Sequence, residues 1–211
     1  MTSREPKPIL IFPFNGNGVE ALDCLGEARQ LIGFIDDTPK KQGTTPQGYR
    51  VFGRTALQQF PTAEVLAVPG SPASYRARRR IIGGLGIEDS RFATVIHPVA
   101  RVSPLAIIGR NVLIMAGAVI TSNAVIGNHV CILPNSVIHH DVVVGDFSLI
   151  GSNVTIAGGA MIGENCYVGS GVSVMSGLTV GNGALVGLGS NVIRPVGSGT
   201  KVVGNPAREI V

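Results

Sequence analysis

From Ile126 to Ser173 the chain reads, in blocks of six, IGNHVC ILPNSV IHHDVV VGDFSL IGSNVT IAGGAM IGENCY VGSGVS. Each block opens with isoleucine or valine, and the frame continues without a slip in both directions. A repeat that tolerates no insertion predicts that each block takes an equivalent place in a stack, as in a solenoid. The positions of the frame are Ile96, Val102, Ile108, Ile114, Ile120, Ile126, Ile132, Ile138, Val144, Ile150, Ile156, Ile162, Val168, Val174, Val180, Val186 and Val192.

Two further positions of the block are regular. A glycine often follows the aliphatic residue, as at Gly109 and Gly145, and a small residue lies four places after it, as at Ala118 and Ser148. Three short strands per coil would form a triangular prism filled by the aliphatic and small residues, and we expect the glycines to turn its corners with positive φ. This pattern resembles the left-handed parallel β-helix of the hexapeptide-repeat acyltransferases.

The 211 residues are 45% apolar and only 14% charged, but no run approaches the ~20 apolar residues of a membrane span. The polar start of the chain lacks a secretory signal, so we expect a cytoplasmic protein without membrane insertion. A short apolar solenoid with few charges commonly covers one face in an oligomer, and the resembled family forms trimers. We therefore expect a homotrimer.

The formal net charge of +4 does not indicate a nucleic-acid partner. Much of the excess lies in a cluster that we expect to form a solvated helix face, and no aromatic residues interleave with it. The three cysteines lack CxxC spacing, so no disulfide framework and no metal site is expected. The basic cluster is Arg76, Arg78, Arg79 and Arg80, and the cysteines are Cys24, Cys131 and Cys166.

In residues 1–94 predicted strands alternate with predicted helices. This order predicts a small α/β domain with a parallel, Rossmann-like sheet before the all-β left-handed β-helix of residues 95–211. Strands are predicted at residues 9–12, 31–35 and 64–68, and helices at 19–30, 55–60 and through the arginine cluster to residue 82. Ligands of such sheets bind beyond the carboxyl ends of the strands. Here those ends carry Asn15, Gly16, Asn17, Asp36, Asp37 and Gly70, our predicted substrate-binding set.

Taken together, these parts resemble the bacterial nucleotide-sugar N-acetyltransferases, with the sialic-acid-locus O-acetyltransferases as close kin. The specific features are the solenoid, the Ile96-His97-Pro98 hinge, the Gly204 to Arg208 ending (GNPAR), and the segment SVIHHDVVVGDFS from Ser136 to Ser148. The resemblance implies an acetyl-CoA-dependent transfer to the amino group of a nucleotide-linked amino sugar.

The same segment supplies the predicted catalytic pair. The resemblance places the catalytic histidine on His140 and its acidic partner on Asp141. Histidine suits the role because its pKa lies near working pH and an attacking amine must lose a proton. His139 replaces a family glutamate and is expected to face outward, as is His129, for which no partner is evident, and His97 belongs to the hinge.

The resemblance also implies a path for acetyl-CoA in a groove between subunits. The oxyanion would bind the backbone of Gly158, one coil from His140 because 140 + 18 = 158, and pantetheine would pass near Ser170 and Leu188. Arg194, Lys201 and Arg208 are available for the phosphates. Leu149 occupies the place of a second family histidine that approaches the acetyl group, which allows a different acyl donor.

Other functions stay open at this point. Transfer to a sugar hydroxyl needs the same base, and a non-catalytic solenoid that binds a nucleotide sugar would also tolerate Leu149. Asn17 stands where the family loop has a histidine, which leaves the sugar and its nucleotide carrier undetermined. Asp36 or Asp37 could simply cap the next turn. A γ-type carbonic anhydrase would need three histidines, two of them separated by four residues, and the four histidines lack that spacing.

Overall fold

The computed structural model describes residues 5–210. The first part has strands β1 Lys7–Phe12, β2 Arg29–Ile35, β3 Gly43–Thr44, β4 Arg50–Phe52 and β5 Glu64–Ala67, and helices α1 Gly16–Glu20, α2 Ala56–Gln59 and α3 Arg78–Gly83. The strands form one sheet in the order β3-β4-β2-β1-β5, parallel except for the β3–β4 pair.

The helices beside this sheet are short, and they do not confirm a Rossmann-like domain. The predicted helix over residues 19–30 is wrong beyond Glu20, where α1 ends and two 3₁₀ turns follow. Gly26 has a φ of 56°, which no α-helix accommodates, and β2 already begins at Arg29. None of the helices in residues 5–210 is long and apolar enough to cross a membrane.

From Val95 onward the chain forms a parallel β-helix with three strands per coil. The strands are β6 Val95–Ile96, β7 Arg101–Val102, β8 Ile107–Ile108, β9 Leu113–Ile114, β10 Val119–Ile120, β11 Val125–Ile126, β12 Cys131–Ile132, β13 Val137–Ile138, β14 Val143–Val144, β15 Leu149–Ile150, β16 Thr155–Ile156, β17 Met161–Ile162, β18 Tyr167–Val168, β19 Ser173–Val174, β20 Thr179–Val180, β21 Leu185–Val186, β22 Asn191–Val192, β23 Lys201–Val203 and β24 Arg208–Glu209.

These strands make three sheets, here called faces 1, 2 and 3. Face 1 contains β6, β9, β12, β15, β18, β21, β23 and β24; face 2 contains β7, β10, β13, β16, β19 and β22; face 3 contains β8, β11, β14, β17 and β20. Paired residues are 18 apart, as for Ile138 and Ile156, so equivalent positions of successive coils lie above one another. The aliphatic and small positions fill the prism, as predicted.

The corners differ from the prediction in one respect. Positive φ falls three residues after the aliphatic residue, at Asn123 or Asp141 for example, and not at the glycine directly after it. That glycine is needed for closeness between coils, because a Cβ at Gly145 would lie 2.6 Å from the backbone nitrogen of Glu164. Asparagine and aspartate tolerate the left-handed region better than most side chains, which explains their place at the turn.

The N-terminal sheet packs against the outer side of face 1. Cys131 and Leu149 point away from the prism and are buried in one cluster with residues of β1 and β2. The amide of Asn111 continues this contact, since it donates to the Ala67 carbonyl at 2.8 Å and accepts from the Ala67 N–H at 2.7 Å. Face 1 is thereby covered.

The arginine cluster belongs to this contact, and its predicted role as a solvated face is wrong for its central member. Arg78 is fully buried and donates hydrogen bonds to the carbonyl oxygens of Phe147, Pro69 and His129. Arg76 donates to the Gly199 carbonyl at 2.6 Å. The cluster therefore fastens α3 to the corner between faces 3 and 1.

Candidate functional site

His140 and Asp141 lie at the corner between faces 2 and 3, just after β13. Asp141 adopts a φ of 58°, and this left-handed turn swings its carboxylate back toward the preceding side chain. His140 Nδ1 and Asp141 Oδ2 are 2.7 Å apart. Two neighbours in sequence, which would point apart in a strand, thus form a hydrogen-bonded pair.

The pairing determines which ring nitrogen can accept a proton. A carboxylate only accepts hydrogen bonds, so Nδ1 carries the hydrogen and Nε2 is left with a free lone pair. Hydrogen bonds from His140 and, second, from Asn123 hold the pKa of Asp141 below its usual value of 3.8. The carboxylate therefore stays charged at neutral pH and stabilises the imidazolium form of His140.

The ring of His140 lies over Gly158, the equivalent residue of the next coil. A Cβ at Gly158 would be 2.5 Å from both Cε1 and Nε2 of the ring. Any residue other than glycine at this position would therefore displace the ring. The Gly159 N–H donates to the His140 carbonyl at 2.9 Å, which fixes the register of the two corners. Within residues 5–210 the Gly158 N–H itself has no protein acceptor. The ring nitrogen that can accept a proton thus lies against a residue whose backbone N–H is free.

The other histidines differ from this arrangement. His129, which was expected to face outward without a partner, stacks on Phe147 with ring centroids 4.5 Å apart, and its Nδ1 lies 3.0 Å from the Asn111 amide. Burial is the main reason that the pKa of His129 lies below 6.5. His97 Nδ1 accepts from the Val99 N–H. Within residues 5–210 no group of histidine, cysteine or acidic residues could hold a metal ion.

A depression of about 580 Å³ lies at the carboxyl ends of β1, β2 and β5. Four predicted substrate residues line it, namely Asn15, Asp36, Asp37 and Gly70, whereas Gly16 begins α1 outside the lining. Lys41, which the sequence did not single out, contributes a cation to the same depression. Its Nζ bonds Asp36 Oδ2 at 2.8 Å and the Phe14 carbonyl at 2.9 Å.

Asp36 and Asp37 both accept hydrogen bonds from residues of the loops around the depression. Burial alone would raise the pKa of Asp36, but hydrogen bonds from Lys41 and Thr38 outweigh it and keep that pKa below 3.8. Asp37 Oδ1 accepts from the Arg54 N–H at 3.0 Å, so it caps the turn before α2. The Thr38 N–H donates to Asp36 Oδ1 at 3.0 Å, so the expected alternative, a cap on the next turn, holds for Asp36, whereas Asp37 caps a later turn.

A second, more apolar cavity of about 190 Å³ adjoins the first at Gly70 and Ser71. Asn17 and Leu149 line it together with Leu133 and Tyr167. The position that would bear a second histidine is therefore an apolar wall between the two parts of the chain. Tyr167 was not predicted, although its outward place on β18, in register with Leu149, could have indicated it.

The remaining predicted cofactor residues lie at different corners and faces of the prism. Ser170 and Leu188 lie one above the other at the corner between faces 1 and 2, beside the apolar cavity. Of the three basic residues, Arg194 follows β22 at the His140 corner, whereas Lys201 and Arg208 are on face 1. The depression belongs to the N-terminal sheet, which packs on face 1, and the His140 corner is opposite that face. One chain therefore does not bring His140 and the depression together.

Residues 92–193 match the family described as the GMPPB C-terminal domain. No curated protein matches the chain. Among solved structures, the acetyltransferase domain of PglB from Neisseria gonorrhoeae FA1090 is 29% identical, with a TM-score of 0.81 over 97% of this chain and 99% of that one. The same domain in complex with acetyl coenzyme A is 27% identical, with a TM-score of 0.84 over 97% of this chain and 100% of that one.

Two further structures are similar over their whole length. WeeI from Acinetobacter baumannii AYE is 25% identical, with a TM-score of 0.70 over 97% of this chain and 100% of that one. PerB from Caulobacter crescentus, solved with CoA and GDP-perosamine, is 24% identical, with a TM-score of 0.84 over 99% of each chain. At that identity PerB shows the fold alone, which fits the left-handed β-helix expected from the repeat.

Proposed function

We propose that this chain, a hexapeptide-repeat acetyltransferase of the nucleotide-sugar type, transfers the acetyl group of acetyl-CoA to the amino group of a nucleotide-linked amino sugar. The resemblance inferred from the sequence is confirmed by structural relatives along the whole chain. The observation that carries the reaction is the His140–Asp141 pair lying over Gly158, with a free ring nitrogen beside a free backbone N–H.

The chemistry follows from these two groups. The sugar amine attacks the thioester carbonyl, and Nε2 of His140 accepts the proton that the amine loses. The carbonyl oxygen becomes an oxyanion, which the N–H of Gly158 stabilises. When the tetrahedral intermediate collapses, the C–S bond breaks, and the imidazolium returns the proton to the departing CoA thiolate. The charge of Asp141 stabilises the imidazolium between these steps.

Binding of the two substrates is assigned to the remaining groups. The related PglB domain was solved with acetyl coenzyme A, which supports acetyl-CoA as donor. The depression beyond β1, β2 and β5 has the size and polar lining for a nucleotide sugar, with Lys41 supplying a cation for its phosphates. Asn17 and the apolar cavity beside Leu149 then meet the sugar or the acyl group.

The separation of the two regions supports a site built between chains. His140 lies at the corner opposite the covered face, so its partner depression comes from a neighbouring copy. Exposed apolar side chains at or beside the His140 corner favour such packing, as expected for a homotrimer. They are Leu105, Ile107, Met161, Met175 and Ile193.

An assay with defined substrates tests this function. The purified protein is incubated with acetyl-CoA and a panel of UDP-, GDP- and dTDP-linked 3-amino and 4-amino sugars, while released thiol is measured. Turnover with an amino sugar is expected, and mass spectrometry with mild base treatment distinguishes an amide from an ester product. Turnover with the matching hydroxy sugars alone would identify an O-acetyltransferase. Binding of a nucleotide sugar without turnover for any donor would favour the non-catalytic alternative.

A further inference from the structure

Asn123 makes one contact that the proposed reaction leaves unused. It lies at the same corner as His140, one coil earlier, so its side chain reaches the residue above it, 123 + 18 = 141. Asn123 Nδ2 donates to Asp141 Oδ1 at 3.0 Å, while the other oxygen, Oδ2, bonds His140 Nδ1 at 2.7 Å. The carboxylate is therefore held from both sides.

We propose that Asn123 is a positioning residue for the base, acting through Asp141. This inference rests on the proposed function, because it assigns a role to His140 as proton acceptor. A carboxylate bonded only to His140 could rotate about its χ2 angle and release Nδ1. The amide of Asn123 prevents that rotation by occupying Oδ1, so Oδ2 stays aimed at the ring. The Nδ1–H tautomer, with Nε2 free beside Gly158, is then favoured.

Another explanation for Asn123 is its backbone. Its φ is 59°, and asparagines occupy several such corner positions of the solenoid, including Asn135 at 61°. Within residues 5–210 the side chain of Asn135 makes no hydrogen bond, and it is exposed, as is that of Asn123. Replacing each by glycine keeps the left-handed conformation and removes only the amide. The pair Asn123→Gly and Asn135→Gly therefore separates the two explanations.

The decisive experiment combines kinetics with a double-mutant cycle. Asn123→Gly should lower kcat about three- to tenfold, as expected for loss of one orienting hydrogen bond, with KM values little changed. Its pH–rate profile should move relative to that of the wild type, whereas Asn135→Gly should match the wild type in both. In an Asp141→Ala background Asn123→Gly should cause no further loss, because the effect passes through Asp141.

A tautomer measurement tests Asn123 independently of turnover. Nitrogen chemical shifts of the His140 ring should show the Nδ1–H form in the wild type and in Asn135→Gly, and an increased Nε2–H fraction in Asn123→Gly. Equal tautomer populations in all three proteins, or an equal kinetic loss with and without Asp141, would overturn the proposal. Absence of turnover in the wild type would instead refute the proposed function, and the tautomer result would still decide the role of Asn123.

Discussion

At the scale of single residues, the proposed reaction depends on how closely His140 approaches the coil above it. The ring occupies the space that a side chain at position 158 would fill. The segment around His140 and Asp141 could be read from the sequence because the motif is local. Asn123 was missed. The 18-residue length of a coil, which relates His140 to Gly158, relates Asn123 to Asp141 in the same way. That a left-handed turn would bring Asp141 back onto the ring is a property of the backbone and not of the motif.

Gly158→Ala should reduce turnover strongly while leaving the fold intact. The new Cβ would displace the His140 ring, and a displacement on the order of 1 Å can cost about 10²-fold in rate. Gly83→Ala is the matched control, since a Cβ there meets nothing within 4 Å. Steady-state kinetics and circular dichroism of both variants check this. Wild-type turnover in Gly158→Ala would show that the ring is not held against that residue during the reaction.

His129 predicts a pH dependence of stability. Its pKa is lowered below 6.5, mainly by burial, so the unfolded chain binds the proton at a higher pH than the folded chain does. The free energy of unfolding should therefore fall as the pH drops below about 6.5. Thermal unfolding should be measured at several pH values between neutral and mildly acidic. The unfolding temperature should decrease less with falling pH in His129→Asn than in the wild type.

At the scale of elements, the six-residue period predicted strands β6 to β22 correctly because its physical cause is local: one inward aliphatic residue per strand. It did not predict β23 and β24, which lie beyond Val192, the last position of the frame. The prediction of which corner residue has positive φ was wrong. Glycine and asparagine both favour turns, and the sequence does not show whether a glycine is needed for a positive φ or for the close approach of two coils. Of the N-terminal strands, β1, β2 and β5 were predicted and β3 and β4 were not. The helix that periodicity had extended to residue 30 ends at Glu20. The burial of Arg78 could not be predicted, because it depends on which element α3 packs against.

Arg78→Met should destabilise the contact between α3 and the solenoid. Burial lowers the pKa of Arg78 to about 10, so the guanidinium is still charged at neutral pH, and its loss leaves three carbonyl oxygens without their donor. We expect the free energy of unfolding to fall by about 2–4 kcal/mol. Arg80→Met, in the same helix but exposed, should change it little. Denaturant unfolding compares the two variants, and equal stabilities would contradict the role of Arg78 in fastening α3 to the solenoid.

At the scale of the whole molecule, the covered face and the His140 corner lie on opposite sides of the prism. A site that needs both must therefore draw on two copies of the chain. Neither the His140 corner alone nor the depression alone explains a transfer between two bound substrates. The separation was not evident from the sequence, because it depends on which face the N-terminal sheet covers.

Mixed oligomers test this arrangement. Ser71→Trp should block the depression, whose lining includes Ser71, without touching His140. His140→Ala and Ser71→Trp should each be nearly inactive alone, but co-expression should restore part of the wild-type rate, because some sites combine an intact His140 with an intact depression. Recovery confirms a site between chains. No recovery in verified mixed oligomers would place both halves of the site in one chain.

The role of His140 as the base is tested most directly by the turnover of His140→Ala with the amino-sugar acceptor that the wild type acetylates. We expect a loss of about 10²–10⁴-fold in kcat, as for a missing general base. Acetyl-CoA binding and the oligomeric state should be unchanged, because the side chain is exposed and forms no part of the core. Full turnover by a folded His140→Ala protein would contradict the mechanism.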